Sequence, residues 1–208
     1  MFSFAQIPSF ILAFILLMFA VSVHEFAHGW VAFKMGDHTA RLSGRLTLNP
    51  VAHIDLFGTI ILPLFIFVLS GGRFIFGAAK PVPVNYLALR DPKRDMVWVA
   101  LGGPAANILF AIILRVALLF IGPFSSILTA VFETLIIINV VLAVFNLIPI
   151  PPLDGSRVVM GLLPDDLARN FARLEPFGFF IIILLISLGL FNIVVLPVVS
   201  LILGMLNI

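Results

Sequence analysis

The chain contains no cysteine. Disulfides, cysteine-held zinc and iron–sulfur clusters are therefore excluded, and any metal must be held by His, Asp, Glu or Asn. Charge is scarce too. Asp, Glu, Lys and Arg make up 11% of the residues, against about 25% in ordinary globular chains. Hydrophobic residues reach 62%, where about 45–50% is usual. A net charge of +2, with no basic run interleaved with aromatics, argues against a nucleic-acid partner. Met1 to Gln6 carries no Lys or Arg, and no small-x-small cleavage site follows the first apolar run. Residues 1–30 thus read as a retained helix, not a cleaved leader.

Apolar residues gather in five stretches: 8–33, 54–69, 98–122, 127–150 and 177–208. A membrane span needs about 20 residues. The first, third and fourth stretches qualify, and the last is long enough for a span plus a partial one, bent near Gly189, Asn192 and Pro197. The second has only 16 residues with Pro63 in its middle. Lys and Arg concentrate on cytoplasmic loops. If 54–69 is a re-entrant hairpin, every basic residue except Arg115 lies on the cytoplasmic side. Arg115 and Glu133 are equally distant from the turn at residue 124, which predicts an ion pair within the membrane.

Two segments read as strands. Residues 40–48 alternate, setting Leu42 and Leu46 opposite Arg41 and Arg45, although Gly44 weakens the pattern. Residues 78–85 are extended, with Pro81 and Pro83 suited to an edge. The expected fold is an all-α polytopic membrane protein of about four to six transmembrane or re-entrant helices, with a small β-sheet at the cytoplasmic rim. It forms a single membrane-embedded domain over residues 1–208, leaving no room for a separate soluble domain.

Against this background one cluster stands out. No side chain from Ile7 to Val23 is ionisable, and then His24-Glu25-Phe26-Ala27-His28 places three in five residues. Residues four apart share a helix face, so His24 and His28 can grip one metal, and Glu25 can take a proton from a water that the metal activates. The bland alternative, a structural pair of histidines, would leave Glu25 buried without a purpose. Hydrolytic zinc usually has a third protein ligand. Asp154 is the best placed of the remaining carboxylates, following Pro149-Ile-Pro-Pro-Leu on the side where His28 ends its helix. The same residues also suit an ordinary Pro-Pro-x-Asp-Gly turn, and composition does not decide between the two.

The sequence resembles the site-2 protease family of intramembrane zinc metalloproteases, especially its compact bacterial and archaeal members. The matching pieces are His24-Glu25-Phe26-Ala27-His28, Gly102-Gly103-Pro104-Ala105-Ala106-Asn107, and Asn146-Leu147-Ile148-Pro149 running on to Pro152-Leu153-Asp154-Gly155. By that resemblance, His24, His28 and Asp154 hold one Zn2+, and Glu25 is the general base. Asn107 and Asn146 could bind the exposed backbone of an unwound substrate or join helices. His53 could line the site or sit at the interface. Two His and one carboxylate also suit Fe(II), but the adjacent Glu favours zinc. The expected function is intramembrane endopeptidase on transmembrane protein substrates. The protein would lie multi-pass in the plasma membrane, with its active site toward the cytoplasm. An intramembrane metal transporter, which gives Glu25 no special task, or a non-catalytic receptor for membrane helices is the alternative.

Overall fold

A backbone in lipid has no water to bond with, so apolar stretches must satisfy their own amides as helices. The computed structural model describes residues 7–61, 63, 65, 79–121 and 125–208. Its α-helices are α1 (Ile7–Lys34), α2 (Thr39–Leu42), α3 (Pro92–Ile121), α4 (Ser126–Asn146), α5 (Asp154–Leu162), α6 (Asp165–Ala172), α7 (Gly178–Ser187) and α8 (Leu196–Met205). Among the described residues, four stretches are long and apolar enough to cross a membrane: Ile11–Lys34, Pro92–Phe120, Ser126–Asn146 and Asp165–Ser187. Ile15, Leu109, Ile113, Leu119 and Phe180 remain exposed on them. Such a belt suits hydrocarbon and not water. The chain is a multi-pass membrane protein.

Local sequence sets where the helices start. Asp91 accepts the Arg94 amide, and its own amide is taken by Asp95, a reciprocal cap at the head of α3. Ser125 caps α4 by accepting the Leu128 amide. The central helix is α3, which packs on α1, α4 and α5. Ala20 of α1, Ala111, Leu114 and Leu118 of α3, and Ile136 and Val140 of α4 form the buried seam. Small residues bring α1 and α3 close. A Cβ added at Gly102 would lie 3.0 Å from Val31 Cγ2 and 3.4 Å from the Ala27 carbonyl oxygen. The last apolar stretch bends at Gly189, whose φ is +89°, and α8 begins with Pro197 in its first turn.

Three expectations need correction or restriction. The small β-sheet is not there: no strand occurs among the described residues. Instead of a strand over 40–48, Asp37 accepts the Thr39 amide and starts the helical turn α2, after which Gly44 reverses the chain at φ +68°. Residues 79–85 are extended but pair mainly with side chains. The Arg45 guanidinium donates to the Lys80 carbonyl, Glu25 accepts the Val82 amide, and Asp37 accepts the Asn85 amide. Alternate prolines remove the donors that a ladder needs, so carboxylates and a guanidinium hold the segment. The Arg115–Glu133 ion pair is also absent. Arg115 Nε donates to the Leu206 carbonyl at the end of α8, 2.5 Å away. Matching depth did not bring the two side chains together, and the last helix turn supplied a nearer acceptor. The hairpin expected at 54–69 lies partly outside the described residues; Leu56–Ile61 is a π-helical segment.

Asp37 is fully buried and ties α1, α2 and the extended segment together through Thr39 and Asn85. Asp37→Ala should cost about 1.5–3 kcal/mol, in line with hydrogen bonds to a charged acceptor. Thermal unfolding in detergent should show this, with faster amide exchange over residues 80–90 while metal binding persists.

Candidate metal centre

The spacing of His24 and His28 puts both imidazoles on the α1 face that meets α3 and the start of α5. Both are buried. Asp154 opens α5, where the chain turns sharply after α4; a Cβ at Gly155 would fall on the Leu147 and Ile148 carbonyls. The close approach therefore requires glycine. It carries the carboxylate to both rings. Asp154 Oδ2 lies 3.0 Å from His24 Nε2 and 3.3 Å from His28 Nε2, and the two Nε2 atoms are 3.0 Å apart. One ligand atom from each residue fits within a 4.8 Å group.

The far nitrogens decide what these atoms are. His28 Nδ1 lies 2.7 Å from the Val99 carbonyl, which can only accept, so Nδ1 carries the hydrogen. His24 Nδ1 lies 2.6 Å from Asn107 Oδ1, and the Asn107 amide nitrogen is committed to Ala20 and Asn139. His24 Nδ1 is then the donor as well. In the neutral rings both Nε2 atoms are left as lone pairs facing a carboxylate oxygen. Three acceptors meet, and they repel unless a cation lies among them. A carboxylate ligates in its ionised form, and Asp154 turns one oxygen to both rings. A donor set of two imidazoles and one carboxylate fits Zn2+ with a position left open.

Gly103 supplies the space. A Cβ there would fall on His28 Nε2 and lie 2.6 Å from His24 Cε1 and 2.7 Å from His24 Nε2. Glu25, one residue along, is turned toward the extended segment. Its Oε2 accepts the Val82 amide at 2.7 Å, fixing the carboxylate at the edge of the site.

Of the residues singled out in the sequence, His24, His28, Asp154 and Asn107 come together. Asn146 does not join them; its side chain donates to Leu142 within α4. His53 is fully buried with Nε2 on the Thr47 carbonyl and Nδ1 unpartnered, and its own carbonyl accepts the Lys80 amide. It braces the extended segment. Sequence reasoning missed the Val99 carbonyl, the Val82 amide, the space at Gly103, and Asn139. The first two are main-chain groups that no residue type announces. Asn139, an amide in an otherwise apolar helix, was a readable signal.

The chain is similar to several known proteins. A model described as Peptidase family M50 matches residues 12–135 and 122–185. Three similar proteins share the name "Putative zinc metalloprotease". YwhC of Bacillus subtilis (strain 168) is 37% identical over 194 residues, covering 89% of this chain and 84% of that one. Rip2 of Mycolicibacterium smegmatis is 31% identical over 178 residues, covering 85% and 67%. A protein of Methanocaldococcus jannaschii is 30% identical over 160 residues, covering 73% of each chain. No solved structure matches the chain significantly.

Gly103→Ala should force both imidazoles out of register. Zn2+ affinity, read by competition with a chromophoric chelator, should fall by at least ~10–100-fold, the loss typical of disturbed ligand support, with helix content unchanged.

Proposed function

The chain belongs to Peptidase family M50, the site-2 protease family, and from that premise we propose that it is an intramembrane zinc endopeptidase acting on transmembrane segments of other proteins. The observation that carries this reading is the meeting of three acceptors, His24 Nε2, His28 Nε2 and Asp154 Oδ2, beside a carboxylate that is not one of them. A structural or transit site would need the three ligands alone. Glu25 is the extra part, and it gives the site a base.

His24, His28 and Asp154 would hold the zinc, whose Lewis acidity would make water easier to deprotonate and a scissile carbonyl easier to attack. Glu25 takes the proton from the water and passes it to the leaving amine, and it needs a short swing away from Val82 to do so. A helix hides its carbonyls in its own hydrogen bonds, so the substrate must unwind locally to be cut. The extended segment over residues 80–85 offers an edge for the unwound strand. Along it, the Val82 amide is engaged by Glu25 and the Asn85 amide by Asp37, while Pro81 and Pro83 have none. A substrate carbonyl that takes over the Val82 amide releases Glu25 as the substrate arrives. Asp154 side-chain exposure of 19%, against 6% and 10% for the histidines, supports entry from the α5 side. The concentration of Lys and Arg on the loops at that end supports a cytoplasmic site in a plasma-membrane protein.

The test is reconstitution in lipid vesicles with a single-span substrate. Glu25→Gln should lower cleavage by roughly 10²–10⁴-fold while bound zinc stays stoichiometric. Equal cleavage by both forms, or zinc flux across the vesicle without any cleavage, would overturn the peptidase reading. Val82→Pro should cripple cleavage with zinc retained; normal turnover would remove the extended segment from the mechanism.

A further inference from the structure

Asn139 lies at the middle of α4 and is fully buried. Its helix neighbours Leu135, Ile136, Val140 and Ala143 are also buried. An amide in that setting costs free energy unless its hydrogen bonds are made. Asn139 makes them in one direction only. Its Nδ2 donates to the Leu135 carbonyl at 2.7 Å, an acceptor that cannot act as donor, so Oδ1 is turned to the other side. There it accepts from Asn107 Nδ2 at 2.6 Å. Asn107 Nδ2 also reaches the Ala20 carbonyl, at the longer distance of 3.2 Å. That carbonyl already serves the backbone of α1, four residues before His24. Asn139 is the dedicated partner.

We propose that Asn139 is a positioning residue for the metal centre, acting through Asn107 to fix which nitrogen of His24 faces the metal. The inference rests on the reading of His24 as a ligand. The relay runs from the Leu135 carbonyl through Asn139 and Asn107 to His24 Nδ1, and each amide has a single orientation that satisfies both of its neighbours. Asn107 Oδ1 therefore faces the ring, Nδ1 keeps its hydrogen, and Nε2 presents its lone pair beside Asp154 and His28. Without Asn139, one Asn107 hydrogen has no acceptor, and the amide nitrogen is held only by its contact with Ala20. An Asn107 turned over would meet Nδ1 with a donor, driving the ring hydrogen to Nε2 and closing that atom to a metal. A structural role is the rival account, in which Asn139 simply joins α4 to α3.

Zinc affinity separates the two. Full-length protein in detergent is titrated with Zn2+ against a chromophoric chelator, normalised to the folded fraction. Asn139→Leu keeps the branched side-chain skeleton but loses the acceptor, and Asn139→Ala removes both; each should weaken zinc binding by about 10-fold or more. Asn139→Asp keeps an acceptor toward Asn107 and should restore wild-type affinity. In an Asn107→Ala background, Asn139→Leu should add no further loss, because both changes cut the same relay. Wild-type affinity in Asn139→Leu, or losses that multiply in the double variant, would overturn the proposal even if stability falls. Zinc binding without cleavage by the wild type would overturn the peptidase reading and leave the relay standing, since the relay is read in affinity alone.

Discussion

Two imidazoles inside a membrane protein need a use for four nitrogens, and only water or protein can provide it. Water is scarce there, so the fold spends main-chain and amide groups of its central helices on the outer two. Val99 takes one ring hydrogen and Asn107 the other. With those bonds made, the inner nitrogens of neutral rings can only be acceptors, and a carboxylate approaching them adds a third. The rest of the structure follows from bringing those acceptors to one point. Close crossing of α1 and α3 needs glycine at 102 and 103, and the tight joint between α4 and α5 needs it at 155. The buried amides of Asn107 and Asn139 are tolerated because the oxygen and the nitrogen of each find partners.

Glu25 follows a different rule. It sits between His24 and His28 in sequence but is drawn out of their cluster by the Val82 amide. That single bond links the chemistry to the segment over residues 79–85, which is itself tied to Asp37 and to Arg45. Glu25, the extended segment and the end of α1 are thus joined by hydrogen bonds beside the cluster of His24, His28 and Asp154.

The helices and the histidines were legible because each rests on local pattern: apolar length for a span, spacing of four for a shared face. Asp154 was legible as a candidate, but what brings it to His24 is the turn at Gly155, a packing fact with no periodicity. The β-sheet expectation failed where two local signals competed. Alternation over 40–48 suggested a strand, whereas Asp37 capturing the Thr39 amide committed the chain to a helical turn. The Arg115 expectation failed because depth along a helix says nothing about the direction of a side chain, and the Leu206 carbonyl was within reach. Asn139 went unread although an amide amid Leu, Ile and Val is expensive in lipid. Asn146, which belongs to the Asn-Leu-Ile-Pro motif, is bonded instead to its own helix.

The missing cysteines take on another meaning once His24 and Asp154 stand side by side. The two residues are 130 positions apart, and with His28 they would share one ion. An ion held there is a cross-link as much as a reagent. In chain-entropy terms, closing a loop of ~100 residues is worth up to about 4.7 kcal/mol for a covalent bridge. A coordinated ion acts in the same sense, by denying the unfolded chain that freedom. The chain has no disulfide to fasten its first helix to its fifth, and the metal centre would be its removable staple.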